Sequence, residues 1–362
     1  MTDEDYMKLA LRLARRGWGW TSPNPMVGAV IVRDGRIIGT GYHRRFGGDH
    51  AEIEAIRDAG GATEGATIYV TLEPCSHHGK TPPCVDALLR GAFKRVVIAA
   101  LDPNPAVNGQ GAEKLRQNGV AVTAGVLEAE SRRLNEAHFK FMSTGLPLVT
   151  LKYAQTLDGR IAAATGRSRW LTSEPFQRYT HHLRAGHDAI LVGAGTVLAD
   201  DPLLTVRLVR GRSPRRIVLD SSLRIPPESR VLTDRQAPTL VVTTARADAG
   251  KLQDLRAAGV EVLVARENER GEVDLAGLLP VLGQRGVTSV MVEGGGRVIT
   301  AILRQRLADR LVIGMAPRIM GRGIEAVGDL GVTDVSQSLP LAFEKVARLG
   351  PDLVIEARPV RP

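Results

Sequence analysis

Cysteine is nearly absent from this chain, with only Cys75 and Cys84 in 362 residues. That scarcity excludes a disulfide-built scaffold. With no export signal in view, it places the chain in a reducing cytoplasm as an expectation. The opening MTDEDYMKLALRLARR is an amphipathic helix pattern, not the basic start and apolar middle of a signal peptide. No apolar run approaches 18 residues, so no membrane span is expected. Aromatic residues make up 4% of the chain, and residues 1–145 hold no basic run of five or more. A protein that grips a polynucleotide needs basic and stacking side chains near its site. The net charge of +9 is unevenly spread, +2 over residues 1–145 and +7 over 146–362. A small phosphorylated substrate, with no nucleic acid and no membrane as partner, fits this better than a polynucleotide does.

What is present begins with His50-Ala51-Glu52 and with Pro74-Cys75 through Cys84. One imidazole and two thiolates make three ligands suited to Zn²⁺ with its fourth tetrahedral position open. Zinc brings the pKa of a water held there from 15.7 to about 7. Glu52 is assigned the catalytic role, taking that water's proton and passing it to a leaving amine. H-x-E followed by P-C and a second Cys is the signature of zinc nucleobase deaminases. The spacing departs from it: Ser76 to Pro83, eight residues rather than two, separate the cysteines. The inserted loop carries His77, His78 and Lys80, and admits two roles, closing over a substrate or supplying a fourth ligand. A Cys75–Cys84 disulfide and a closed structural Cys₂His₂ site stay open as readings of the same residues. Neither explains Glu52.

The length suits two α/β domains, residues 1–145 and 146–362. In the first, Tyr6, Leu9, Ala10 and Leu13 recur at helical spacing behind a Thr2/Asp5 capping box. Asp34-Gly35 between two apolar runs predicts a hairpin. Helices are expected at 50–59, from Cys84 to Arg90, at 111–118 and at 128–141. Strands are expected at 67–72, 95–101 and 120–123. Asn24, between two prolines, is placed for a sugar contact or for a plain turn. Residues 143–147 read as a linker. In the second half, strands are expected at 148–153, 188–193, 216–220, 239–243, 260–264, 288–292 and 310–315. Helices are expected at 174–185, 249–258, 275–285 and 296–306, with a closing hairpin about Gly350-Pro351.

Glu293-Gly294-Gly295-Gly296 runs from a strand straight into a helix, the pattern of a phosphate cradle or of a tight turn. The stretch ILVGAGTV tempts a dinucleotide-fold reading, with Asp220 ending a later strand. However, Leu198 stands where a third glycine belongs, and Pro202 is expected to break the crossover helix. A Rossmann fold is therefore rejected.

Taken together, these motifs resemble the RibD family of bifunctional riboflavin-biosynthesis deaminase–reductases. The resemblance spans nearly the whole chain, through PNPMVG, GYH, HAE, TLEPCSHHGKTPPC, DPNP, LNEAHFKFMSTGLP, LKYAQTLDGRIA, SRWLTS, HHLRAGHDAILVGAGTVLADDPLLTVR and VEGGG. It implies a cytidine-deaminase-like first domain with zinc on His50, Cys75 and Cys84. It implies a dihydrofolate-reductase-like second domain that uses NADPH. It implies deamination of 2,5-diamino-6-ribosylamino-4(3H)-pyrimidinone 5′-phosphate, then reduction of the ribosyl group to ribityl. Asn24, His77, Lys80 and Asn104 fall at its deaminase substrate positions. Ala154, Trp170, Thr196, Asp200, Ser221 and the run Gly295, Gly296, Arg297, Val298, Ile299, Thr300, Ala301 fall at its cofactor positions. Ser168, Arg184, Leu204, Arg207 and Glu293 fall at substrate positions. Lys152, with Asp200 and Glu293, matches its polar active-site residues. Arg184 and Arg207 suit the ribose phosphate, and Arg297 suits the 2′-phosphate of NADPH. A homodimer through the reductase domain is the expected assembly.

Two other function classes compete. One is a nucleic-acid base deaminase with an unrelated appended domain, disfavoured by the cysteine spacing and the missing basic-aromatic face. The other is a non-catalytic basic protein with structural zinc.

Overall fold

The computed structural model describes residues 1–76, 82–105, 107–168 and 171–360, and the chain divides into two compact units, Met1–Gly145 and Leu146–Pro362.

The first unit runs α1 (Asp3–Ala14), β1 (Gly28–Arg33), β2 (Arg36–Tyr42), α2 (Ala51–Asp58), β3 (Thr67–Leu72), α3 (Cys84–Arg90), β4 (Arg95–Ala100), α4 (Gln110–Gln117), β5 (Ala121–Ala124), α5 (Glu128–Leu134) and α6 (Glu136–Thr144). Thr2 and Asp5 cap α1 reciprocally, as their spacing predicts. Asp34 and Gly35 both take positive φ in the β1–β2 turn, the backbone that lets two twisted strands pair through two residues. The five strands stand in the order β2-β1-β3-β4-β5. β1 is antiparallel to β2 and β3, while β3, β4 and β5 are parallel. β2, β3 and β4 thus point the same way, and their carboxyl ends share one edge with the start of β1.

One long helix over 128–141 is expected, but the structure breaks it at Asn135. That side chain is buried and bonds both the N–H of Met26 (2.7 Å) and its carbonyl (2.9 Å), 109 positions earlier. Of the residues read as a linker, Ser143 and Thr144 belong to α6. Ser143 and Thr144 bond back to the carbonyls of Phe139 and Lys140, and Gly145 ends α6 in the left-handed region.

The second unit runs β6 (Leu148–Thr156), β7 (Arg160–Ala163), α7 (Glu174–Ala185), β8 (Ala189–Gly193), α8 (Ala194–Asp200), β9 (Arg215–Leu219), α9 (Arg230–Thr233), β10 (Thr239–Thr243), α10 (Ala249–Ala257), β11 (Glu261–Val264), α11 (Leu275–Gln284), β12 (Ser289–Val292), α12 (Gly296–Arg304), β13 (Arg310–Ala316), β14 (Gly323–Glu325), β15 (Leu341–Leu349) and β16 (Asp352–Pro359). Nine strands form one sheet in the order β11-β10-β9-β8-β12-β6-β13-β16-β15, and β7 pairs with β14 as a separate ribbon. All neighbours from β11 to β13 are parallel, and the β15–β16 hairpin closes the sheet antiparallel. Apolar layers cover both faces. Leu151, Leu191, Val292 and α11 lie on one, and Phe176, Ile190, Met291 and Leu255 on the other. Burial on two sides explains why these strands read as unbroken Val/Ile/Leu runs.

The crossover from β8 differs from expectation. Pro202 does not remove the helix. α8 runs for two turns and ends before it, and residues 201–214 carry the chain irregularly to a parallel β9. The absent third glycine costs nothing here, since Leu198 lies 48% exposed on the outside of α8.

Candidate active sites

In the first unit, the shared strand edge gathers every described motif residue. β2 leads into His43 and on to His50, β3 into Glu73-Pro74-Cys75, β4 into Asp102 and Asn104, and Asn24 precedes β1. His50 is the N-cap of α2, with Glu52 in its first turn. Cys84 opens α3, and its backbone N–H donates to the Cys75 sulfur at 3.4 Å. The Nδ1 of His50 lies 3.2 Å from the Cys84 Sγ and 3.7 Å from the Cys75 Sγ. A tetrahedral zinc with bonds of about 2.3 Å to sulfur and 2.0 Å to nitrogen spaces such atoms about 3.5 Å apart. Both cysteines are free thiols, so a disulfide does not form. Among the described residues these three form the group able to hold a metal ion, and the donor set fits zinc.

Without the ion the site already favours charge separation. The hydrogen bond from Cys84 holds the Cys75 thiol down to about 4, helped by His50. Cys75 in turn pushes Cys84 up and raises His50. Burial raises Glu52, which is 3% exposed. Burial thus makes the Glu52 carboxyl hold a proton more readily than an exposed glutamate does.

Two positions behind the ligands went unassigned in the sequence. His43 is buried. It accepts from the Asn24 amide at Nε2 (3.2 Å), donates from Nδ1 to the Asp49 carbonyl (2.9 Å), and meets the His50 ring edge-on at 5.4 Å. Burial lowers its pKa and keeps it neutral. Glu73 accepts from the N–H groups of Asp102 (3.2 Å), Gly109 (2.8 Å) and Ala112 (3.0 Å), tying the β4–α4 loop to the end of β3. The only advance signal for either was its place beside a motif, in GYH and in EPC. Asn104 lies in the loop that Glu73 holds, its N–H on Asp102 at 2.9 Å. His77, Lys80 and, in the second unit, Trp170 lie outside the described residues.

In the second unit a cleft of about 940 Å³ opens at the carboxyl ends of β8, β9 and β12, with Thr196, Asp200, Ser221, Gly295, Gly296, Arg297, Val298, Thr300 and Ala301 on its walls. This is the switch point of the sheet. The chain leaves β8 toward β9 and returns to place β12 on β8's other side, and such crevices bind ligands. The β7–β14 ribbon walls the far side with Ile161, Ile324 and Glu325. Ser168 is on the wall as well and donates to Asp200 at 3.1 Å. Ser221 accepts the N–H of Val273 at 3.2 Å. Ile299 turns away from the cleft into the core, and Ala154 packs among the residues around Phe176. Arg297 is 83% exposed and pairs with Glu272 at 2.9 Å.

Glu293, one residue before the glycines, anchors a buried charge cluster. Arg184 donates to both its oxygens, at 2.7 and 2.9 Å, and the Lys152 ammonium lies 3.7 Å away. Burial alone pushes Glu293 up, but Arg184 and then Lys152 outweigh it and hold the carboxyl at about 2. Lys152 shifts down, since burial exceeds the attraction of Glu293. The third donor of Arg184 goes to the Thr205 carbonyl at 3.2 Å. Arg184 is thus held as one member of a buried, paired charge cluster, its guanidinium oriented by Glu293. Arg207 keeps an exposed guanidinium, bonded to the Thr205 hydroxyl at 2.8 Å. Leu204 is buried with φ +56°, a left-handed backbone that costs a non-glycine residue about 1–3 kcal/mol.

An open three-ligand zinc site with a buried carboxyl on one unit, and a glycine-rich switch-point cleft on the other, define a metal-dependent deaminase joined to a reductase. Comparison with known proteins bears this out. The family model "Cytidine and deoxycytidylate deaminase zinc-binding region" matches residues 1–100, and "RibD C-terminal domain" matches residues 147–355. Riboflavin biosynthesis protein RibD of Aquifex aeolicus is 47% identical over 98% of this chain and 97% of its own, and that of Escherichia coli 41% identical over 98% and 99%. The solved structure of Acinetobacter baumannii RibD superposes with a TM-score of 0.90 at 36% identity, covering 99% of both chains. The diaminohydroxyphosphoribosylaminopyrimidine deaminase/5-amino-6-(5-phosphoribosylamino)uracil reductase of Thermotoga maritima gives 0.87 at 39% identity, again over 99% of both. The chain belongs to the RibD family, the two-domain deaminase–reductases of riboflavin biosynthesis.

Proposed function

We propose that residues 1–145 deaminate 2,5-diamino-6-ribosylamino-4(3H)-pyrimidinone 5′-phosphate by hydrolysis. Residues 146–362 then reduce 5-amino-6-ribosylamino-uracil 5′-phosphate to the ribitylamino product with NADPH. The observation that carries the first step is the His50 Nδ1 set 3.2 and 3.7 Å from two thiols beside a buried Glu52. His50, Cys75 and Cys84 would hold zinc, which would supply Lewis-acid activation of a water. Glu52 would carry a proton from the attacking water to the amine leaving C2, so that ammonia departs neutral. His43 holds Asn24 at the rim for the substrate, with Asn104 on the neighbouring loop. His77 and Lys80 complete that face on the strength of their sequence positions.

In the second unit NADPH supplies the hydride. Residues Gly295–Ala301 offer it a helix N-terminus with free N–H groups for the pyrophosphate. Thr196, Asp200, Ser221, Ala154 and Trp170 are its remaining contacts in this reading. Lys152, lowered by burial, supplies the proton that must accompany the hydride. Glu293 fixes Lys152 and Arg184, Ser168 and Leu204 border the sugar, and Arg207 faces the phosphate. The enzyme is assigned to the cytoplasm. Its two free thiols, and the lack among the described residues of any helix long and apolar enough to cross a membrane, support this. A homodimer through the reductase units is supported by the apolar side chains Phe343 and Val346, exposed on the edge strand β15.

The test is a two-step assay with a Glu52→Gln variant in parallel. Ammonia release without NADPH, lost by a factor of about 10² or more in the variant, and NADPH oxidation only after deamination support both steps. NADPH oxidation without ammonia release reduces the first unit to a structural zinc module. Neither activity in a zinc-loaded protein overturns the assignment.

A further inference from the structure

The loop that follows α8 carries two of the substrate positions, Leu204 and Arg207, and it is held from beneath by one turn of α7. His181 and Arg184 are three residues apart on that helix, so they share a face. Arg184 takes the carbonyl of Thr205 at 3.2 Å, and His181 takes the backbone N–H of Arg207 on its Nδ1 at 2.9 Å. From β9 the buried Arg216 donates to the carbonyl of Leu203 at 3.2 Å. The left-handed Leu204 sits between these anchors, and a strained backbone of this kind persists only where its surroundings over-determine it.

We propose that His181 is a positioning residue for the reductase substrate: its neutral imidazole fixes the Arg207 backbone, and so aims the Arg207 guanidinium at the anionic end of that substrate. The ring is 5% exposed. It faces the charges of Lys152 on β6, Arg184 on its own helix, Arg207 on the loop and Glu293 after β12. Burial, then Arg184 and Arg207, hold its pKa down to about 4. The acceptor role is therefore kept throughout the neutral range, since a protonated ring has no lone pair for the Arg207 N–H. No sequence motif marks this residue apart from its neighbour His182, because the assignment depends on which of the two faces the loop.

This inference rests on the proposed phosphate-bearing substrate. It is tested in the full chain by reductase kinetics with 5-amino-6-(5-phosphoribosylamino)uracil and with its dephosphorylated form. His181→Leu removes the acceptor. His181→Asn retains an oxygen near the Nδ1 position, and His181→Gln moves it to the Nε2 position. Losing one hydrogen bond predicts a KM for the phosphorylated substrate about five- to tenfold higher in His181→Leu and His181→Gln. In both, kcat stays within about twofold, and NADPH affinity and deaminase activity are unchanged. His181→Asn restores KM, and the dephosphorylated substrate shows no difference among the variants. A wild-type enzyme indifferent to the phosphate refutes the substrate placement. A phosphate-dependent wild type with unmoved KM in both His181→Leu and His181→Gln, or with His181→Asn as poor as these, refutes the positioning role alone.

Discussion

The seat of α2 on β2 can be tested with one methyl group. Gly41 is buried at the end of β2, and a Cβ there would lie 2.3 Å from the Ala51 carbonyl oxygen and 2.4 Å from the Ala55 nitrogen. Ordinary contact begins near 3.4 Å, so in Gly41→Ala the helix must back away by about 1 Å. Both contacts are backbone, so no rotamer change relieves them. The same helix carries His50 at its cap and Glu52 in its first turn, whereas Cys75 and Cys84 hang on β3 and α3. A zinc site tolerates about 0.2 Å in its ligand distances, and a misplacement of about 1 Å costs roughly a hundredfold in rate. Overpacking adds a stability loss of about 1–3 kcal/mol. The expected result is a purified Gly41→Ala protein with substoichiometric zinc by elemental analysis and deaminase turnover down about a hundredfold. Its NADPH-dependent reductase rate, carried by the other unit, is unchanged. Full zinc with wild-type ammonia release would show that the close approach at Gly41 does not set the site.

Three further outcomes are expected. After zinc is stripped with a chelator at about pH 6, iodoacetamide should modify Cys75 well before Cys84, since the first is held at about 4 and the second pushed up; peptide mass spectrometry showing equal rates refutes the assigned thiolate. Arg297→Ala should raise the KM for NADPH about tenfold while leaving that for NADH alone, as expected of one charge-assisted bond to a 2′-phosphate; an unchanged preference between the two cofactors refutes that role. Burial lowers His181, His182 and His187 below their ordinary 6.5. Above that pH both folded and unfolded states are neutral and stability is full; below it the unfolded chain binds protons that the folded chain refuses. The unfolding temperature of the reductase unit should therefore fall as pH drops from about 6.5 toward 4, and a flat calorimetric profile across that range would overturn the argument.

By itself the sequence determined most of the elements of both units and picked out His50, Cys75 and Cys84, the group able to hold a metal ion. Each of those signals is local: apolar period, Asp-Gly at a turn, a capping box, and His, Glu and two Cys at telling spacings. The strand–glycine–helix run through Gly294–Gly296 was legible too, because strand, glycines and helix are contiguous. Tertiary structure decided the rest. The helix break at Asn135 depends on Met26, 109 positions away. The β7–β14 ribbon is too short and too weakly patterned to announce itself, yet it walls the cleft at the carboxyl ends of β8, β9 and β12. Helix α8 survives Pro202 because it ends two residues earlier. Arg184 and Arg207 look equally suited to a phosphate in the sequence. Burial separates their surroundings, since Arg184 is enclosed with Glu293 and pairs with it, while the Arg207 guanidinium is exposed. His43 and His181 are likewise ordinary histidines until the fold presents a backbone carbonyl to one and the Arg207 N–H to the other.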